Sequence, residues 1–226
     1  EQFPKNNNGL LIDGKLLLSC RDININPKTT EQLLETYSKI EASNELSVDN
    51  IIARAVLNIQ SQNYMKAIDD CNEALKLQPN NVLVYLLRGS IYFKITNLIN
   101  NINNESLSYY FVGKTPQQIQ QLTKRKDADY TQAISDFKKC IEMDSTFSYA
   151  YYNLANTVIE LGKYDEAITL YSKAIKLRPN MAEAYFNRGL LYLYLKKENE
   201  SCLDMSKAGE LGIEAAYKII KKYCSL

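Results

Sequence analysis

The chain has 226 residues, 46% hydrophobic and 23% charged, with 27 basic side chains against 26 acidic ones. That composition describes a folded, soluble protein, and a net charge of +1 is too weak a field to draw it to nucleic acid or an anionic membrane. Histidine is absent, which removes Ser-His and Cys-His nucleophile pairs, His-ligated zinc and imidazole acid–base chemistry.

No apolar run reaches the roughly 18 to 20 residues that span a bilayer, so no direct membrane insertion is expected. The first residue is Glu1, which leaves a removed leader or an upstream domain open. The five cysteines, Cys20, Cys71, Cys140, Cys202 and Cys224, are odd in number and show no CxxC spacing. They argue against a disulfide framework and against a thiolate metal site. No glycine loop for phosphate, no GxSxG elbow and no motif-placed carboxylate pair is present. A non-enzyme without cofactor or metal is the expectation.

In chain order, residues 1–29 form an N-terminal segment. Within it "GLLIDGKLLLSC" sets Asp13-Gly14 between two apolar triplets, the signature of a two-residue type I′ hairpin turn. A lone hairpin is marginal in water, so it is expected to lean on helices or to belong to a neighbour. Residues 30–47 place Leu33, Tyr37 and Ile40 on one helical face and read as a half-repeat helix.

From residue 48 the chain repeats itself. "YMKAIDDCNEALKLQPN" (64–80) and "YDEAITLYSKAIKLRPN" (164–180) carry aromatic, alanine, isoleucine, alanine, leucine and proline at the same offsets. Aligned on Pro79 and Pro179, the units run 48–81, 82–147, 148–181 and 182–212. The units starting at 48, 148 and 182 each begin with a helix bearing a small residue at its eighth position: Ala55, Ala155 and Gly189. A second helix follows, with Tyr64, Ala67, Ile68, Cys71, Ala74 and Leu75 on one stripe in the first unit. In the third, Tyr164, Ala167, Ile168, Tyr171, Ala174 and Ile175 repeat that stripe. Alanine at 67 and 167 lets paired helices approach to about 8–10 Å, and proline stops each unit. One unit buries one face, so neighbours must stack to complete a core.

The unit 82–147 is interrupted at about 98–129, between its two helices. The insert holds an apolar cluster, Tyr109, Tyr110, Phe111 and Val112. Its second part, "TPQQIQQLTKRKDA", has threonine as N-cap and proline at the first helical position, the start of an extra helix. The cluster reads as a covering loop, and alternatively as a rim contact for a partner. Cys71, Cys140 and Cys202 lie on second-helix stripes and read as small core residues. Asp69, Asp70, Glu73 and Glu166 are expected to face solvent or a turn. Downstream, residues 213–226 form a capping helix, with Ile213, Ala216, Tyr217 and Ile220 inward and Glu214, Lys218, Lys221 and Lys222 outward.

These repeats, with "AYFNRGLLY" (184–192) among them, resemble the tetratricopeptide repeat family over residues 48–212. The resemblance implies an all-α solenoid of helix-turn-helix repeats. Two departures stand out: Ile51 replaces the usual tryptophan-like residue, and Glu198, Ser201 and Met205 replace tyrosine, alanine and an aromatic, so the end units are expected to pack more loosely. In that family first helices line a concave, peptide-binding groove. Mapped onto this sequence the groove comprises Ile52, Leu86, Ser90, Tyr149, Tyr152, Asn153, Asn156, Phe186, Asn187, Leu190 and Tyr194. Tyr85, Tyr151 and Tyr185, at the fourth position, are expected in the core. Leu86, Ser90 and Glu183 stand where carboxylate-gripping members of the family carry polar or basic residues, which argues against that mode.

Arg54, Arg88 and Arg188 replace leucine at the seventh position, and are expected to pair with carboxylates of adjoining second helices, with anion binding as the alternative. The closing segment resembles that of bacterial tetratricopeptide proteins often exported to the cell envelope. It implies the C-terminal part of a longer protein in the envelope or periplasm, with the cytoplasm as alternative. The expected function is a non-catalytic module binding a protein or peptide in the groove. The alternative is a structural unit that self-associates as a homo-oligomer through its ends or the insert.

Overall fold

The computed structural model describes residues 9–12, 16–19, 35, 47–101 and 130–224. It divides into two compact units, one within residues 4–139 and one within 140–226. The half-repeat helix of 30–47, apart from Glu35 and Ser47, and most of the insert, with Tyr109, Tyr110 and Phe111 and its extra helix, lie outside the described residues.

In the first unit, β1 (Gly9–Ile12) pairs antiparallel with β2 (Leu16–Ser19), closing on Ile12 opposite Leu16. The expected Asp13-Gly14 turn lies outside the described residues. The helices start with α1 (Val48–Gln60), whose N-cap Ser47 accepts the Asn50 amide at 3.2 Å, with Asp49 in the first turn. α2 (Tyr64–Leu77) packs back on α1 and stops before Pro79. α3 (Val82–Asn101) follows, so the helix continues past 98, where the insert was expected to begin.

Ile51, Ala55, Tyr64, Ala67, Ile68, Cys71 and Ala74 of α1 and α2 share one buried cluster with Val84, Leu87, Ile91 and Ile95 of α3. Ile51 is fully buried in it, at the position where a tryptophan-like residue is usual. By length and composition α3 is apolar enough over Val82–Asn100 to cross a membrane, which counting uninterrupted apolar runs did not reveal. Its apolar side is spent on α1 and α2, and its Arg88 is paired with Asp136.

Asp136 belongs to α4 (Thr131–Met143), within which the two units divide. Gly89 is where α3 meets α4: a Cβ there would stand 2.8 Å from the Phe137 ring and 3.1 Å from Asp136 Cβ. The small residue at the eighth position is thus a steric requirement of the crossing. Gly89→Ala gains helix propensity of up to about 1 kcal/mol, but the ring is wholly buried and cannot retreat. We expect a net loss of about 1–2 kcal/mol, measured as a lower urea midpoint.

The second unit holds α5 (Ser148–Ile159), α6 (Tyr164–Leu177), α7 (Ala182–Tyr194), α8 (Glu198–Glu210) and α9 (Glu214–Tyr223). From α6 onward each packs on its predecessor. Ala150, Ala155, Ala167, Ala174 and Ala184 are fully buried, which is what close helix approach demands. Gln62, Gly162 and Lys196, each fifteenth in its repeat, take left-handed backbone angles and reverse the chain between first and second helices.

The last repeat packs tightly, contrary to expectation. Ser201 is buried where alanine is usual and donates its hydroxyl to the Gly189 carbonyl at 2.8 Å, while Met205 is fully enclosed. The cap α9 seats Ala216 against Met205 and Ala208, with Ile213, Ile219 and Ile220 beside them. Tyr217 is 55% exposed, yet its ring lies over Gly209, where a Cβ would come within 2.9 Å.

Cysteine usage departs from the sequence reading. Cys71 and Cys140 are buried free thiols, but Cys202 is half-buried and bonded to Cys224. An odd cysteine count says nothing against a single clip. The usable signal was position, because 202 and 224 are equidistant from Ile213, where the α8–α9 hairpin turns.

Candidate interaction surface

The expected arginine pairs are present, with partners that only folding selects. Arg188 donates Nε to Asp204 Oδ2 at 2.7 Å and Nη2 to Oδ1 at 2.8 Å, while Nη1 reaches Ser172 Oγ of the preceding repeat at 2.7 Å. Arg88 repeats the arrangement: Nε to Asp136 Oδ2 at 2.9 Å, Nη2 to Oδ1 at 2.8 Å, and Nη1 to Asn72 Oδ1 at 2.6 Å. Each fork therefore grips its own second helix and the one before, which fixes the stacking offset. The hydrogen-bonded aspartates hold both guanidinium groups above the usual arginine range, so they stay charged.

Arg54 binds Asp70 at 2.8 Å and Glu73 at 2.8 Å, and Asn58 also donates to Asp70 at 2.8 Å. Asp70 is 5% exposed, which corrects its assignment to the solvent face. Burial pushes its carboxyl above the ordinary value, with Asn58 and Arg54 pulling the other way. In the repeat 148–181 the seventh and twenty-third positions are Leu154 and Leu170, so the charged pair is replaced by an apolar one.

Of the mapped groove residues in the first unit, Leu86 is 2% exposed and belongs to the interior. Ser90 spends its hydroxyl on the Leu86 carbonyl at 2.8 Å, and Ile52 packs half-buried against the α1–α3 cluster. In the second unit Tyr152 is 4% exposed, which corrects its placement on an open wall. Its hydroxyl accepts from Asn187 Nδ2 at 3.0 Å, and the same amide reaches Asn156 Oδ1 at 3.1 Å. Asn156 Oδ1 also accepts from Tyr171 Oη at 2.5 Å, and the Tyr152 and Tyr171 rings lie 5.9 Å apart. Burial pushes the Tyr171 phenol up, keeping it a donor. These four side chains tie α5, α6 and α7 together; the two amides thus serve packing as well as the surface.

Tyr149 accepts from Arg178, whose guanidinium lies 4.9 Å from its ring centroid. Burial raises the Tyr149 phenol, opposed by that arginine. Phe186 packs half-buried against the cluster under α9. Leu190 and Tyr194, on successive turns of α7, are 39% and 67% exposed, and the Tyr194 ring meets Tyr164 edge-on at 5.2 Å. Asn153 is half-buried on α5. The fourth-position tyrosines are likewise half-buried instead of core: Arg88 lies over Tyr85, Lys173 over Tyr151 and Arg188 over Tyr185. Among the described residues no cluster of cysteine and carboxylate side chains could hold a metal.

Stacked antiparallel helix pairs, with small residues at every crossing and repeating arginine forks, define an α-solenoid of the interaction-scaffold type. Family models described as tetratricopeptide repeat match residues 137–169, and 122–147 with 182–211; one described as TPR repeat matches 156–195. Tetratricopeptide repeats are thus shown over residues 122–211. The fold of the chain is similar to solved structures of MamA. One, a crystal structure of MamA, has a TM-score of 0.59 at 20% identity, covering 87% of this chain and 95% of that one. Another, MamA from residue 41 to its end from Desulfovibrio magneticus RS-1, has a TM-score of 0.60 at 15% identity, covering 80% and 85%. No curated protein matches the sequence.

Proposed function

We propose that the chain is a non-catalytic module that binds a protein or peptide on the first-helix face of its repeats, and that in the second unit α7 carries the contact. The observation behind this reading is the stripe Phe186, Leu190 and Tyr194, spaced four residues apart on α7, with its last two members exposed. Large apolar side chains left in water offer an extended peptide burial, and the half-buried amide of Asn153 on α5 offers it a hydrogen bond. The network of Tyr152, Asn156, Tyr171 and Asn187 keeps α5 and α7 in place, so little ordering is lost on binding.

Panning a displayed random-peptide library on the protein tests this. Enriched peptides should bind Leu190→Ser/Tyr194→Ser more weakly by roughly tenfold or more, two apolar contacts having been removed. The variant should melt with the parent, because both side chains are exposed. Absence of enrichment, or equal binding by the variant, would overturn the proposal. A dimer in light scattering that the double substitution leaves intact would favour self-association instead.

A further inference from the structure

The Cys202–Cys224 bond joins the first half of α8 to the residue directly after α9, 22 positions on. Between them the chain reverses at Gly212, whose φ of 102° suits glycine, and the Ile213 amide bonds the Ala208 carbonyl at 2.9 Å. The sulfur bridge therefore pins the free end of a helical hairpin. α9 needs that pin: it has ten residues, only Ala216 is fully buried, and Glu214, Lys218, Lys221 and Lys222 face water. A helix so short does not persist unaided in water, and its docking rests on the half-buried Ile213, Ile219 and Ile220 and on the Tyr217 ring. Both bridged cysteines are half-buried, within reach of a thiolate, whereas Cys71 and Cys140 are enclosed.

We propose that the Cys202–Cys224 disulfide is a redox lock that holds α9 over the end of the α7–α8 pair, and that its reduction frees α9 and uncovers Tyr185, Phe186, Met205 and Ala208. A dithiol supplies the two electrons and two protons. One of its thiolates attacks a bridge sulfur to form a mixed disulfide, and its second thiol then displaces that cysteine. The products are two cysteine thiols and the cyclic disulfide of the reductant. The lock stays closed in an oxidising compartment and opens in a reducing one. Closing a loop of this size favours the docked helix by on the order of a hundredfold.

The test uses the full chain after air oxidation, with and without dithiothreitol. A non-reduced tryptic map of the denatured protein should contain residues 198–207 linked to 223–226. Under native conditions, cleavage after Lys218, Lys221 and Lys222 should rise on the order of a hundredfold upon reduction. Cleavage after Lys66 and Lys76 of α2, both exposed, should not change. The Cys202→Ser/Cys224→Ser chain should behave like reduced protein with or without the dithiol. The proposal fails if the oxidised protein lacks the linked peptide, if cleavage near the cap is the same in both states, or if the α2 sites open equally on reduction, which would make the bridge a staple of the whole chain.

Discussion

Asp204→Ala is expected to cost about 3–5 kcal/mol of folding stability, because it leaves Arg188 charged, largely enclosed and without its carboxylate. The guanidinium would keep one side-chain bond, to Ser172 Oγ, and it packs among Tyr185 and Tyr192 with its charge unmatched. The double change Arg188→Leu/Asp204→Leu should recover most of that loss, since two well-packed apolar residues often equal a buried ion pair. The chain itself offers the precedent, with Leu154 and Leu170 at the corresponding positions of the preceding repeat. Urea unfolding of parent, single and double variants measures the difference. A double variant as unstable as Asp204→Ala would mean that the fork, through Ser172, sets the stacking offset in a way that apolar packing cannot replace.

Tyr171→Ala should be comparably severe, at about 3–5 kcal/mol. Tyr171 is the largest fully buried side chain among the described residues, and truncating it empties the space beside the Tyr152 ring and strips Asn156 Oδ1 of a donor. Tyr171→Phe separates the two contributions. It keeps the ring and loses only the hydroxyl bond, and Asn156 retains Asn187 Nδ2, so about 1 kcal/mol is expected. If thermal melting showed the two variants equal, the hydrogen-bond network and not ring packing would be holding α5, α6 and α7 together.

Helix content and the crossing points were legible in the sequence because they rest on local rules. Ala67 and Ala167 are small where helices meet, Pro79 and Pro179 end their units, and the 3.6-residue stripe decides which face is buried. The surface was less legible. A repeat-position rule assigns Tyr152 and Leu86 to the open face, yet how far a side chain sinks depends on what the neighbouring helix places beside it. Asn187 from α7 reaches back to the Tyr152 hydroxyl, a contact 35 residues away in sequence.

By itself the sequence determined the repeat register, the all-helical class, the arginine at the seventh position and the need for a cap, since each follows from periodicity, side-chain volume or charge within a few turns. Only the tertiary structure decided that Asp70, Asp136 and Asp204 are the carboxylates gripped, that Leu190 and Tyr194 remain in water, and that Cys202 faces Cys224. Those outcomes depend on distances between elements brought together by stacking, and a one-dimensional pattern holds no record of distance until the helices have docked.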